Sequence, residues 1–497
     1  MKGAVMVCGT SSDAGKSLVV TGLCRLLARR GVKVAPFKAQ NMSLNSFVTP
    51  AGHEIGRAQG AQALAAGVEP EVAMNPVLLK PTGQRSSQVV VNGAPIGHLS
   101  AADYHALRPR LMDTVLAALE DLRTRFDVVV AEGAGSPAEI NLLEGDIVNL
   151  SLAHRAGMPA VLVGDIERGG VFASLYGTVA LLPEHLRAHV RAFVINKFRG
   201  DPALLGDGPS ELARRSGVPT IGVLPWLDGA VIDAEDSLAL RAFGRHRSGP
   251  PVADALQVVA VRLPRISNFT DLDAMAVEPG VAARLAEDPA QLAGADLIVV
   301  PGSKSTVADL EWLRASGFEA ALATRRAEGA TILGICGGYQ MLGRSIADPE
   351  GVESSSPRTD GLGWLAVDTV YEPDKTVRQR RGRAMGEAVT GYEIHHGRPL
   401  TDTIGWVELD DSYGSERDGA VSEDGAVAGT ILHGLFEQDG LRARFLEAVA
   451  ARRGRRFVPA GVSFAAARAS QYDRIADLLE AHLDLDALSG LIAEGAR

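Results

Sequence analysis

Gly9-Thr10-Ser11-Ser12-Asp13-Ala14-Gly15-Lys16-Ser17 is the stretch that decides how the first half of the chain folds. Before it runs Gly3-Ala4-Val5-Met6-Val7-Cys8, an apolar run that reads as a buried strand. After it, residues 16–30 (KSLVVTGLCRLLARR) repeat apolar positions at helical spacing and stop at Gly31. A glycine-rich turn between strand and helix gathers backbone N–H groups and the helix N-terminus at one point, which suits anionic oxygens. Gly15 permits close backbone approach, Lys16 brings a point charge to the terminal phosphates of a nucleotide, and the Ser17 hydroxyl can ligate Mg2+. Five residues separate the two glycines, one more than in the commonest phosphate-loop pattern. A plain Gly/Ser turn is the bland alternative.

Short Val/Ala/Ile-rich runs alternate with longer amphipathic stretches over most of the 497 residues, the pattern of an α/β chain with parallel sheets. Strands are expected at 32–37, 127–131, 159–164, 192–196 and 219–224, and again at 256–263, 295–300 and 330–335. Between the two groups, residues 243–254 (FGRHRSGPPVAD) lose periodicity and mark a linker. The expectation is two doubly wound domains, over 1–242 and 255–445, with polar loops at 348–360 and 372–387. An Ala/Leu/Arg-rich helical tail over 446–497 is expected to pack on the second domain.

A phosphate loop needs a metal carboxylate nearby, and strand ends supply candidates: Glu132 after DVVVA and Asp165 after AVLVG. Each reads equally well as a strand-end salt bridge or a helix cap. Asn196-Lys197 after AFVI could read a purine base. Composition excludes other classes. Hydrophobic residues make up 46% and charged residues 22%, as in an ordinary globular protein. The net charge of −10, without a basic run, argues against a nucleic-acid or membrane-surface binder. Three cysteines without a CxxC pair make neither a disulfide framework nor a zinc knuckle. The first residues run straight into a strand and no apolar run of about 18 residues occurs, so a cytoplasmic protein is expected.

Gly334-Ile335-Cys336-Gly337-Gly338-Tyr339-Gln340 sets Cys336 at a second strand-to-helix elbow. Glycines around a cysteine allow the strained turn that exposes a nucleophilic sulfur, and the following helix N-terminus favours thiolate. The Gly337 N–H would face a developing oxyanion, a donor of a kind typically worth about 3–4 kcal/mol of barrier. A small buried core residue is the alternative. A thiolate nucleophile wants an imidazole. His433, in Gly429-Thr430-Ile431-Leu432-His433-Gly434, follows a strand-like run, and His395 and His396 are rivals that spacing does not separate.

Two resemblances add to this. The loop spacing, with Pro36-Phe37-Lys38 at the next strand end, resembles the dethiobiotin-synthetase-like subgroup of P-loop enzymes, which make acyl or carbamoyl phosphates. That resemblance implies ATP binding by Thr10, Gly15, Lys16, Ser17 and Lys38, with Mg2+ near Ser17, Glu132 and Asp165. The Cys336 segment, Pro301-Gly302-Ser303-Lys304-Ser305-Thr306 and Leu432-His433-Gly434 together resemble a class I glutamine amidotransferase domain. It implies that Cys336 attacks glutamine, His433 moves protons, Gly302 and Gly337 line the oxyanion hole, and Gln340 lies near the bound glutamine. The usual Glu two positions after the histidine is Leu435 here, and Glu437 lies four positions on, so a Cys–His dyad is expected.

In this order the two halves resemble the glutamine-dependent cobyrinate-amidating family of cobalamin biosynthesis, over nearly the whole chain. Residues 38–46, 132–142 and 164–173 resemble its branch that acts on adenosylcobyrinic acid a,c-diamide. The resemblance implies amidation of the b, d, e and g carboxylates, one ATP and one glutamine for each. Gln40, Asn41, Ser43 and Asn45 would meet the corrinoid. Small-molecule substrates, no nucleic acid and no membrane are expected, and a homo-oligomer is left open. The sister enzyme that makes the a,c-diamide, and a regulatory P-loop ATPase carrying an inert hydrolase-like module, are the rivals.

Overall fold

A computed structural model describes residues 1–82, 86–229, 254–411 and 414–496. The expected linker, Asp254 apart, lies outside them, as does the boundary at 242. The described residues form two compact units. One takes in residues 1–43, those described between 53 and 229, and 468–496; the other takes in 44–52 and those described between 254 and 467.

In the first unit six parallel strands lie in the order Thr220–Pro225, Val190–Phe198, Ala160–Asp165, Gly3–Gly9, Val128–Glu132, Val34–Phe37. Apolar clusters cover both faces, which is why these strands read as unbroken Val/Ala/Ile runs. Val7 is opposite Glu132, so the Gly9 turn and the Glu132 carboxylate share the carboxyl edge at the point where strand order reverses. A smaller sheet joins Gln40–Met42, Val77–Pro81, Ser86–Val91 and Ala94–Ser100.

Residues 468–496 pack on this first unit, a correction to the expected docking of the tail. Ala476, Leu479, Leu483, Leu491 and Ile492 share an apolar cluster with Val19, Leu23 and Leu26 of the Lys16–Arg29 helix. Charge matches along the same face: Arg25 makes two bonds to Asp473, of 2.8 and 2.9 Å. Only 446–467 of the expected tail stay with the second unit.

The second unit is built on the order Val281–Ala286, Leu256–Val261, Leu297–Val300, Thr331–Ile335, Val427–Thr430, Ala420–Val421, parallel except for the last pair. A further sheet carries a long hairpin of Val367–Ala384 with Glu387–Thr401. The expected polar loops are corrected here: 372–387 lies in this hairpin and Arg358–Asp360 is a strand. The arginines between 378 and 383 hide the strand pattern; two of them are matched by carboxylates of other strands, Arg378 to Glu393 at 3.1 Å and Arg380 to Glu416 at 2.5 Å. Among the described residues no helix is long and apolar enough to cross a membrane.

Candidate functional site

In the first unit Gly15 caps the Lys16–Arg29 helix at φ 101°, a conformation that glycine adopts without strain. A Cβ at Gly15 would lie 2.0 Å from Nδ2 of Asn196, which donates to Ala14 O at 3.0 Å. Thr10 N–H donates to Val163 O at 2.9 Å, fixing the start of the loop on the neighbouring strand. Lys16 Nζ donates to the carbonyls of Ser11 at 2.9 Å and Gly135 at 3.2 Å. Ser17 Oγ and Lys38 Nζ each donate to Glu132 Oε1 at 2.9 Å, and Gln62 Nε2 donates to Oε2 at 2.5 Å.

Glu132, Ser17 and Lys38 thus form one cluster. Asp165 does something else: its oxygens take Lys197 Nζ and the Glu167 N–H, both at 2.9 Å. Tyr104 OH donates to Gln40, and Asn41 donates to Gln59 at 2.9 Å. Ser43 is buried, its N–H on Leu79 O at 3.0 Å. Asn45 belongs to the second unit, where its Oδ1 accepts the Asn268 N–H at 2.8 Å. Cys8 and Cys24 are core residues, and burial pushes the Cys8 thiol up to about 12.

In the second unit Cys336 follows the Thr331–Ile335 strand at φ 50°, ψ −109°, and the Gly337–Leu342 helix begins after it. Such a backbone costs on the order of 1–3 kcal/mol and persists only where the surroundings enforce it. The Cys336 N–H donates to Thr430 O at 2.8 Å. A Cβ at Gly338 would lie 1.9 Å from Val300 O, so only glycine lets the elbow seat against that strand end.

Val427–Thr430 is the next strand, and His433 follows it, fully buried. Its Nδ1 is 2.7 Å from Asp271 Oδ2, and Tyr392 stacks on the ring at 5.3 Å. A Cβ at Gly302 would come within 3.0 Å of His433 Cε1, and one at Gly337 within 2.9 Å of the Ser303 N, so both glycines lie close about the imidazole and the elbow. Burial acts to lower the imidazole pKa, but the charges of Asp271 and Cys336 outweigh it and raise it to about 10. His395 and His396 lie on the hairpin instead, the first 3.4 Å from Glu393 and the second 3.2 Å from Glu372 O. Gln340 is buried with Oε1 2.9 Å from Tyr371 OH, which is also 2.9 Å from Thr306 Oγ1.

Asp271 and Tyr371 were missed by sequence reasoning. Asp271 sits in Asn268-Phe269-Thr270-Asp271, a polar turn before a helix that reads as capping. Its link to His433 spans 162 residues, so no local pattern announces it.

Residues 5–238 match the CobQ/CobB/MinD/ParA nucleotide binding domain, and residues 257–441 match the CobB/CobQ-like glutamine amidotransferase domain. The two units define a glutamine-dependent amidating ligase. A cobyric acid synthase of Frankia casuarinae is 52% identical over 100% of this chain and 98% of its own length. Those of Streptomyces coelicolor and Saccharopolyspora erythraea are each 53% identical, over 100% and 99% of this chain and 97% and 95% of theirs. The chain belongs to the cobyric acid synthase family.

Proposed function

We propose that the protein converts the b, d, e and g carboxylates of adenosylcobyrinic acid a,c-diamide into amides, using one ATP and one glutamine for each. The observation that carries this is the coexistence in one chain of a cysteine and a histidine on neighbouring strand ends and a phosphate loop with a buried carboxylate. One half can release ammonia; the other can activate the carboxylate that ammonia attacks.

Cys336 Sγ attacks the side-chain amide carbon of glutamine as its proton passes to His433 Nε2. The oxyanion faces the Gly337 N–H and the Gly302 loop. Collapse breaks the C–N bond, the His433 proton joins the leaving nitrogen, and ammonia departs from a glutamyl thioester. Water, giving a proton to His433, then releases glutamate as that proton returns to sulfur. In the nucleotide half a substrate carboxylate oxygen attacks the γ-phosphorus of ATP, ADP leaves and an acyl phosphate forms. Ammonia attacks the acyl carbon, the C–O bond breaks, phosphate departs and a proton is lost to solvent.

Lys16 would exchange its carbonyl partners for phosphate oxygens. A hydroxyl and one carboxylate are hard oxygen donors of the kind Mg2+ takes beside phosphates, so Ser17 and Glu132 would hold it. When bound, it neutralises charge between the terminal phosphates. Each carboxylate is paired with a lysine, but Glu132 is bonded to Ser17 of the loop whereas Asp165 takes the Glu167 N–H, so Glu132 is the better placed of the two. A cytoplasmic site of action accords with three cysteines that are all free.

The test is to feed the purified protein each corrinoid with ATP and glutamine and to count OH-to-NH2 exchanges by mass. Gain of amides on the a,c-diamide is expected. Amides on cobyrinic acid, with none on its a,c-diamide, would overturn the assignment.

A further inference from the structure

We propose that Asp271 is the positioning residue of the glutaminase centre: it holds His433 in the tautomer and orientation that leave Nε2 to take the Cys336 proton. This rests on reading Cys336 and His433 as nucleophile and base. Leu435, which stands where an amidotransferase of this class carries its carboxylate, is 1% exposed within the apolar core and has no polar atom to offer. The carboxylate comes from another part of the unit.

Asp271 begins the short Asp271–Ala276 helix, where an acidic residue ordinarily serves the N–H groups of its own first turn. Both of its oxygens are directed elsewhere. Oδ2 lies 2.7 Å from His433 Nδ1, and Oδ1 accepts the Gly434 N–H at 2.6 Å. The two bonds grip the ring and the main chain beside it, so the imidazole cannot swing without breaking one of them. Tyr392 closes one face of the ring at 5.3 Å and 23°, and its backbone exchanges two hydrogen bonds of 3.0 Å with that of His433.

In the neutral ring a proton on Nδ1 donated to Asp271 leaves the lone pair on Nε2. That nitrogen is buried, and the group it faces is the Cys336 thiol. A buried ring nitrogen beside a thiol at a strand-to-helix elbow is placed to receive that thiol's proton. The Asp271 segment is also tied to the Gly302 loop: the Ser267 N–H donates to Gly302 O at 2.9 Å and the Lys304 N–H to Arg265 O at 3.0 Å. Carboxylate, imidazole and oxyanion loop are thereby set by one set of backbone bonds. The titratable groups facing the imidazole are Asp271 from its helix, Cys336 from the elbow and Tyr392 from the hairpin.

The experiment compares Asp271→Asn with the unsubstituted full-length chain, using glutamine and then ammonia as the nitrogen source. The kcat with glutamine should fall about 10³-fold, since the amide no longer dictates the tautomer. The KM for glutamine and the ammonia-dependent rate should stay within about threefold. The imidazole NMR signal of His433, assigned by its loss in His433→Gln, should titrate at lower pH in the variant. Glu437→Gln should change none of these. A wild-type kcat in Asp271→Asn overturns the proposal, and so does an equal loss of the ammonia-dependent rate, which would assign Asp271 to folding alone. If Asp271→Asn does not fold, Asp271→Ser, which keeps an acceptor for Gly434, is read by the same outcomes. Retention of glutamine use by Cys336→Ala would instead defeat the underlying reading, and the two failures are distinct.

Discussion

Ser17 Oγ donates a 2.9 Å hydrogen bond to Oε1 of Glu132, across 115 residues of sequence. They meet because the Gly3–Gly9 and Val128–Glu132 strands are neighbours with Val7 opposite Glu132. Lys38 bonds the same oxygen and Gln62 the other, on a residue that is 1% exposed. A carboxylate so enclosed is costly unless every donor is in place.

Glu132→Gln should therefore have two separable effects. If Glu132 is the metal carboxylate proposed above, its loss should lower amidation at least ~10²-fold with glutamine and with ammonia alike. Loss of the partner of Lys38, itself 4% exposed, should cost about 3–5 kcal/mol of stability. Adding Lys38→Met should return stability and not activity. Unfolding curves beside turnover numbers decide it, and activity within a few-fold of wild type would exclude Glu132 from the site.

Gly15→Ala probes the loop itself. The residue sits at φ 101°, and the new methyl would lie 2.0 Å from Asn196 Nδ2. The backbone term alone is about 1–2 kcal/mol, before Asn196 moves. ATP affinity, measured by titration calorimetry, should fall by about tenfold or more. Asn196→Ala in the same chain clears the clash but leaves φ, so recovery should be partial. Unchanged affinity in Gly15→Ala would mean that nucleotide does not approach this backbone.

The parts of the fold that were legible are those where one physical demand acts on contiguous residues. Val128–Glu132 is buried on both faces and so reads as an unbroken apolar run; the Gly15 turn and the Cys336 elbow need glycine at fixed offsets. The Val367–Ala384 strand was not legible, because Arg378 and Arg380 are answered by Glu393 and Glu416 from other strands. The docking of residues 468–496 joins positions far apart in sequence: Leu479 and Ile492 pack with Val19 and Leu23, and Arg25 meets Asp473, 448 positions away. Asp271 was hidden for the same reason: its partner is chosen by the fold, and nothing near it in sequence records the choice.

Cys336→Ala and Lys16→Ala should divide the chemistry. The first removes the proposed nucleophile and should abolish glutamine use while leaving ammonia-dependent amidation. The second takes away the charge that the phosphate loop offers a nucleotide and should abolish both. Assays with each nitrogen source are enough. Loss of ammonia-dependent activity in a folded Cys336→Ala protein would contradict the division of labour.

Asp418 contributes to the pH dependence of the second unit. It accepts from Thr430 Oγ1 and from the Ile431 N–H at 3.3 Å, under the strand end that leads to His433. Burial raises its pKa from 3.8 to about 6, against the pull of those hydrogen bonds. The folded state thus holds the proton more tightly than the unfolded chain does. The stabilisation is complete below the unfolded value and is lost as pH rises through the folded one, about 3 kcal/mol in all. Asp418→Asn keeps acceptor capacity without the charge, so this loss should vanish in the variant. Between about pH 5 and about pH 7.5 the variant should gain about 1 kcal/mol relative to wild type, read from urea midpoints. A constant difference between the two proteins over that range would mean that Asp418 is already ionised in the folded state at the lower pH.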